Sequence, residues 1–133
     1  MDGRVFFVDW DSAANNDPFF DLGELTVFGC RTADARRLLL REYLTREPDD
    51  VSSARMLVSR LVALGFYSGG FAMIAAMGGA FDASARPLTM DALALSMTTA
   101  PASPSVIAAS LFAEMERGMV EPSYADAKRL LGG

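Results

Sequence analysis

The chain has 133 residues, of which 51% are hydrophobic and 22% charged, with a net charge of −5. That is apolar material for one packed domain, which excludes a disordered tail, and the acidic balance argues against binding a nucleic-acid backbone. A single cysteine, Cys30, and the complete lack of histidine exclude an internal disulfide, Cys- or His-based metal sites, and any nucleophile driven by a histidine base.

Carboxylates, hydroxyls, lysine, arginine and backbone amides are left to do chemistry, so a metal here would be a hard, oxygen-ligated ion such as Mg²⁺. The N-terminus carries no basic-then-apolar signal pattern, and a cytoplasmic setting is expected.

Residues 4–9 (Arg4 to Asp9) read as one short leading β-strand, because Val5-Phe6-Phe7-Val8 is a continuous apolar run. The run ends in Asp9-Trp10-Asp11. Two carboxylates at the end of a strand can face a cleft and share a cation; taken alone, so short a motif is more often a polar turn.

Asp17-Pro18 predicts a helix start, with Asp17 as cap and Pro18 in the first helical position. Phe20, Leu22, Leu25 and Phe28 are its expected apolar anchors, and Gly29 its end. Asp21 falls in the first turn, where the helix dipole favours a carboxylate.

Thr32 predicts the cap of a second helix, with Ala35, Leu38, Leu39 and Tyr43 on its apolar side and Arg36, Arg37 and Arg41 on the other. The arginines could form an anion-facing stripe or a solvated face paired with Glu42 and nearby acids; the second is expected. Pro48-Asp49-Asp50 breaks this helix. A long one follows from about Ser52 to Met77, with Met56, Leu57, Arg60, Leu61 and Leu64 along its first half, and Gly78-Gly79 stops it.

Leu61 to Phe81 carries no charge and approaches the length of a membrane span, with Gly65 and Gly69 in G-x-x-x-G spacing. Repeated glycines and the lack of aromatic or basic anchors favour a helix buried on all sides of a soluble lobe instead. Phe66, Tyr67 and Phe71 are read as its core aromatics. Beyond it come a helix over 88–97, a Pro/Ser/Ala linker over 98–104, a helix over 105–117 and a short terminal one over 123–131.

Taken together, the strand, Asp9-Trp10-Asp11, Asn15-Asn16-Asp17-Pro18, the aromatic pair Phe19-Phe20 and Asp21-Leu22-Gly23 resemble the metal-binding segment of the choline kinase and aminoglycoside phosphotransferase families. The likeness covers Val5 to about Leu44. It implies a mainly α chain, the helical C-terminal lobe of a protein-kinase-like phosphotransferase. Asp9 would be a Mg²⁺ ligand in the presence of ATP, and Asp11 would assist. Asp21 would accept hydrogen bonds from the backbone of the catalytic loop. The aromatic pair that boxes a quaternary ammonium in choline-type members would fall on Tyr67 and Gly70, making Tyr67 a candidate substrate contact.

Such families also use an H-x-D-x-x-x-x-N loop, a glycine-rich loop and a strand lysine, and none of these occurs in this sequence. Residues 1–133 are therefore expected to be a single, incomplete domain, inactive alone. In the intact enzyme it would serve ATP-dependent phosphorylation of a small hydroxylated, perhaps cationic, substrate. The alternative is a non-catalytic helical interaction module derived from that lobe, able to self-associate through exposed apolar surface.

Overall fold

Asp17 opens the first helix by the predicted device: its carboxylate accepts the backbone N–H of Phe19 at 3.0 Å, with Pro18 following it. The computed structural model describes residues 17–133. The expected leading strand, with Asp9 and Asp11, lies outside the described residues. Among those described, there are six helices and no strand: α1 Pro18–Phe28, α2 Ala33–Leu44, α3 Asp50–Met77, α4 Met90–Thr99, α5 Pro104–Val120 and α6 Pro122–Leu130. The described part is mainly α, as expected.

The helix boundaries follow side-chain caps. Thr32 accepts from Ala35 N, Asp49 from Ser52 N, Thr89 from Ala92 N and Ser103 from Val106 N. α3 therefore starts at Asp50, two residues before the composition placed it, because Asp49 holds its first turn. α4 runs two residues past the expected end at Met97, taking Thr98 and Thr99 out of the linker.

α3 is the axis of the molecule, packed by α1 and α6 and most extensively by α5. The α1–α3 crossing is set by Gly23. A Cβ there would meet the backbone of Ser59 at 2.6 Å, so only glycine lets the two helices approach this closely. The contact stripe of α1 centres on that point: Phe19, Leu22, Gly23, Thr26 and Val27 are buried. Of the four expected anchors, only Leu22 is used, while Leu25 and Phe28 are exposed and Phe20 flanks the contact. The apolar pattern alone could not reveal this rotation, because it gives no weight to glycine. Buried Thr26 satisfies its hydroxyl by donating to the Gly23 carbonyl at 2.6 Å.

The main core joins Val27, Leu61, Ala63 and Leu64 to Leu93, Ile107 and Leu111, and a smaller cluster joins Phe19, Leu22 and Met56 to Leu40. α2 meets α3 only lightly and buries Leu40 alone. Leu38 and Tyr43 are exposed rather than inward. At the other end of that helix, Thr45 stops the chain in a left-handed conformation (φ 55°).

α3 is not buried on all sides. Its first half carries most of the buried residues, Ala54, Met56, Arg60, Leu61, Ala63 and Leu64, yet Val51, Ser53 and Arg55 there are exposed, and beyond Ser68 only Ala75 is buried. Phe66 is 64% exposed and Met77 81%, and Val62, Met73 and Ile74 are exposed as well. Among the described residues this stripe is left largely open, with Phe20 and Tyr67 beside the Phe66 ring. By length and composition α3 could cross a membrane; 28% of its most apolar window is buried against the other helices.

The connection from α3 to α4 turns at Gly79 (φ 66°) and is fastened to α5 by two buried serines. Ser105 Oγ accepts from Asp82 N at 3.0 Å and donates to Ala80 O at 3.3 Å. Ser110 Oγ accepts from Leu88 N at 2.9 Å and donates to Val106 O. Ser68 of α3 completes the attachment by donating to Ala108 O at 3.0 Å.

Candidate functional site

The sequence-derived site residues on described chain gather along α1 and the middle of α3. Asp17, besides capping α1, receives both oxygens' worth of hydrogen bonding from Arg55 Nη2, at 2.9 Å each. The guanidinium carbon of Arg55 sits 4.0 Å from the centroid of the Phe19 ring. The Phe19 N–H, followed by Arg55, holds the Asp17 carboxyl below its usual value.

Asp21, one turn on, is exposed, and its carboxylate makes no hydrogen bond or ion pair among the described residues. It shares the opening turns of α1 with Asp17 but is not engaged by Arg55.

Tyr67 is half-buried and packs against the main core, as Phe71 does. It belongs to a run of edge-to-face rings that sequence periodicity did not assemble. Phe28 lies 5.2 Å from Tyr67, Tyr67 5.6 Å from Phe66, and Phe66 6.2 Å from Phe20, with interplanar angles of 78–81°. Phe66 is therefore an exposed member of this run and not the core residue expected. Glu24 stands beside the run, close enough for its charge to act on the Tyr67 hydroxyl. Burial, and secondarily this carboxylate, raises the Tyr67 pKa.

Phe20, Glu24 and Phe28 were missed as a set because Phe20 and Phe28 were assigned to the core. Their i, i+4, i+8 spacing, which puts them on one stripe, was the available signal. The Gly70 position expected to carry a second boxing aromatic is open, with nothing within 4 Å of where a Cβ would lie.

This surface offers several aromatic rings and the Glu24 carboxylate, an arrangement suited to holding a cation by its charge and by ring faces. Among the described residues it contains no cluster of three or more acidic or sulfur side chains that could hold a metal. The hard-oxygen pair that the sequence offers Mg²⁺, Asp9 and Asp11, lies outside the described residues. Comparison with models of protein families, with curated proteins and with solved structures returns no match.

Proposed function

We propose that this chain is the substrate-side helical lobe of an ATP-dependent small-molecule phosphotransferase of the choline kinase and aminoglycoside phosphotransferase kind. The observation that carries the reading is the placement of the acids after the Asp9-Trp10-Asp11 run. Asp17 is committed to capping α1 and to Arg55, while Asp21 on the same opening turns stays exposed and, among the described residues, unengaged. That division of labour is what a lobe needs if Asp21 is to accept backbone hydrogen bonds from a catalytic loop. Asp9 and Asp11 would hold Mg²⁺, whose charge would offset that of the ATP phosphates.

The acceptor in this reading is a small hydroxylated molecule with a cationic group. Phe20, Phe28, Phe66 and Tyr67 with Glu24 supply the recognition surface in place of the missing second boxing aromatic. The H-x-D-x-x-x-x-N loop and the glycine-rich phosphate loop of these families do not occur in the sequence, so in this reading turnover needs a segment carrying both, and the chain alone would be inactive.

The test is Asp9→Ala in the phosphotransferase reconstituted with the segment that supplies the catalytic loop. Mg²⁺-dependent formation of a phosphate monoester from choline or an aminoglycoside should fall to background, with the helical circular dichroism unchanged. Full turnover in Asp9→Ala removes the metal assignment.

One observation favours a second reading, a helical interaction module without catalysis. The uncovered stripe of α3 at Val62, Phe66, Met73 and Met77 is the kind of contiguous apolar surface that partners cover. A defined complex or dimer in sedimentation, with no phosphoryl transfer in any reconstituted form, would put this reading first.

A further inference from the structure

Away from the aromatic surface, α2 stands off from the α3–α5 pair and leaves a cleft of about 670 Å³, within the range of small-molecule sites. Its apolar lining includes Leu40, Met56, Leu57 and Leu61, and four arginines reach it: Arg36, Arg37, Arg60 and Arg117.

Arg60 is the unusual member. It is only 8% exposed, and one of its nitrogens, Nη2, donates to Glu114 Oε1 at 3.1 Å. Its Nε–H is buried and makes no hydrogen bond among the described residues. A buried donor left unpaired carries a desolvation cost that a bound acceptor would remove. Glu114 cannot compensate fully, because its other oxygen is taken by Arg117.

Arg36 adds to the imbalance. It donates only to the backbone carbonyls of Cys30 and Arg31 and has no carboxylate partner among the described residues. Arg36 and Arg60 both line the cleft, and burial, opposed by Glu114 and reinforced by the charge of Arg36, lowers the Arg60 pKa. By contrast, Arg37 is paired with Glu47 at 3.0 Å, as the solvated-face reading expected. Asp34 and Asp50 also line the cleft, but each is exposed in the first turn of its own helix, where the dipole holds it. Glu121 lies farther along the same wall and acts on Arg60 through its charge.

We propose that this cleft binds a small organic anion, a carboxylate or phosphate monoester bearing a compact apolar group. Its charged end is held by Arg36 and the guanidinium of Arg60, over an apolar floor of Leu40, Met56 and Leu61. Planar guanidiniums are suited to such oxyanions, and charge-assisted hydrogen bonds in a sheltered cleft are the stronger ones. The inference is independent of the phosphotransferase reading, which uses the other side of α1 and α3.

The test is titration of the whole chain with phenyl phosphate and with benzoate, followed by calorimetry and by the NMR signal of the Arg60 Nε–H. Inorganic phosphate and phenol serve as controls for the two halves of the ligand. The expected result is saturable binding of one or both organic anions that shifts the Arg60 signal, with inorganic phosphate and phenol each binding more weakly. Arg36→Gln should weaken that binding by roughly tenfold or more. No saturable shift of the Arg60 signal, or inorganic phosphate binding as tightly as phenyl phosphate, overturns the proposal. So does unchanged affinity in a folded Arg36→Gln. Should that variant fail to fold, the Arg60 signal in the unmodified chain decides alone.

Discussion

Single side chains decide where the helices of this molecule begin, and one of them makes that decision dependent on pH. Asp49 caps α3, and its hydrogen bonds with Ser52, side chain first and backbone second, together with Arg46 hold its pKa down from 3.8 to about 2. A carboxylate depressed in the folded state adds stability that is complete above its unfolded value near 3.8 and is lost as pH falls through about 2. Asp49→Asn keeps a capping oxygen but removes the titration. The melting-temperature gap between wild type and this variant should therefore narrow as pH falls from 5 to 2; parallel curves would show that the cap carries no linked proton. Gly23 acts at the same scale through shape. A methyl group there must displace Ser59 backbone, so Gly23→Ala should cost about 1–3 kcal/mol in denaturant unfolding. A stability equal to wild type would mean that α1 can stand farther from α3.

Among the elements, the pairing of α3 with α5 is the one that carries a charge into the interior. Arg60 of α3 and Glu114 of α5 are both largely buried, and removing one partner leaves the other charge uncompensated. Glu114→Ala should destabilise the fold by about 3–5 kcal/mol, and the double change Arg60→Met with Glu114→Leu should recover most of that loss. An additive double variant would contradict the coupling. The same elements show what could be read from the sequence. Capping residues and glycine stops are local signals, and they located α1, α2 and the end of α3. The choice of inward face is a tertiary matter: Phe19 displaced Phe20 because Gly23 fixed the crossing, and Leu40 displaced Leu38 because α2 is only lightly attached. Asp17 was legible as a cap, but its bond to Arg55, 38 positions away, was not. The aromatic run was hidden for the same reason, since its halves lie on α1 and α3, and the Arg60 cleft needs three helices to exist. Asp9 and Asp11 stand as sequence readings alone.

At the scale of the whole molecule, α3 gathers α1 from earlier in the chain and α5 and α6 from later, so the fold depends on one helix being addressed from both directions. The α3–α4 connection matters to this more than its composition suggests. It has no regular structure and is rich in small residues, the profile of a segment that tolerates insertion and nicking. Yet its two ends are held by Ser105 and Ser110 on α5, and Ser110 lies one helical turn before Glu114. Ser110→Ala should thus speed thermolysin cleavage near Leu88 well beyond its effect on overall melting, and equal cleavage rates would show that the hydroxyl does not hold the segment. The connection consequently gauges the rotation of α5 about its own axis, and through that the aim of Glu114 toward Arg60. Chain length, ordinarily the most freely varied quantity in a loop, is here a dimension of the interior: one residue more or fewer between Gly79 and Thr89 would be felt in the alignment of a buried ion pair.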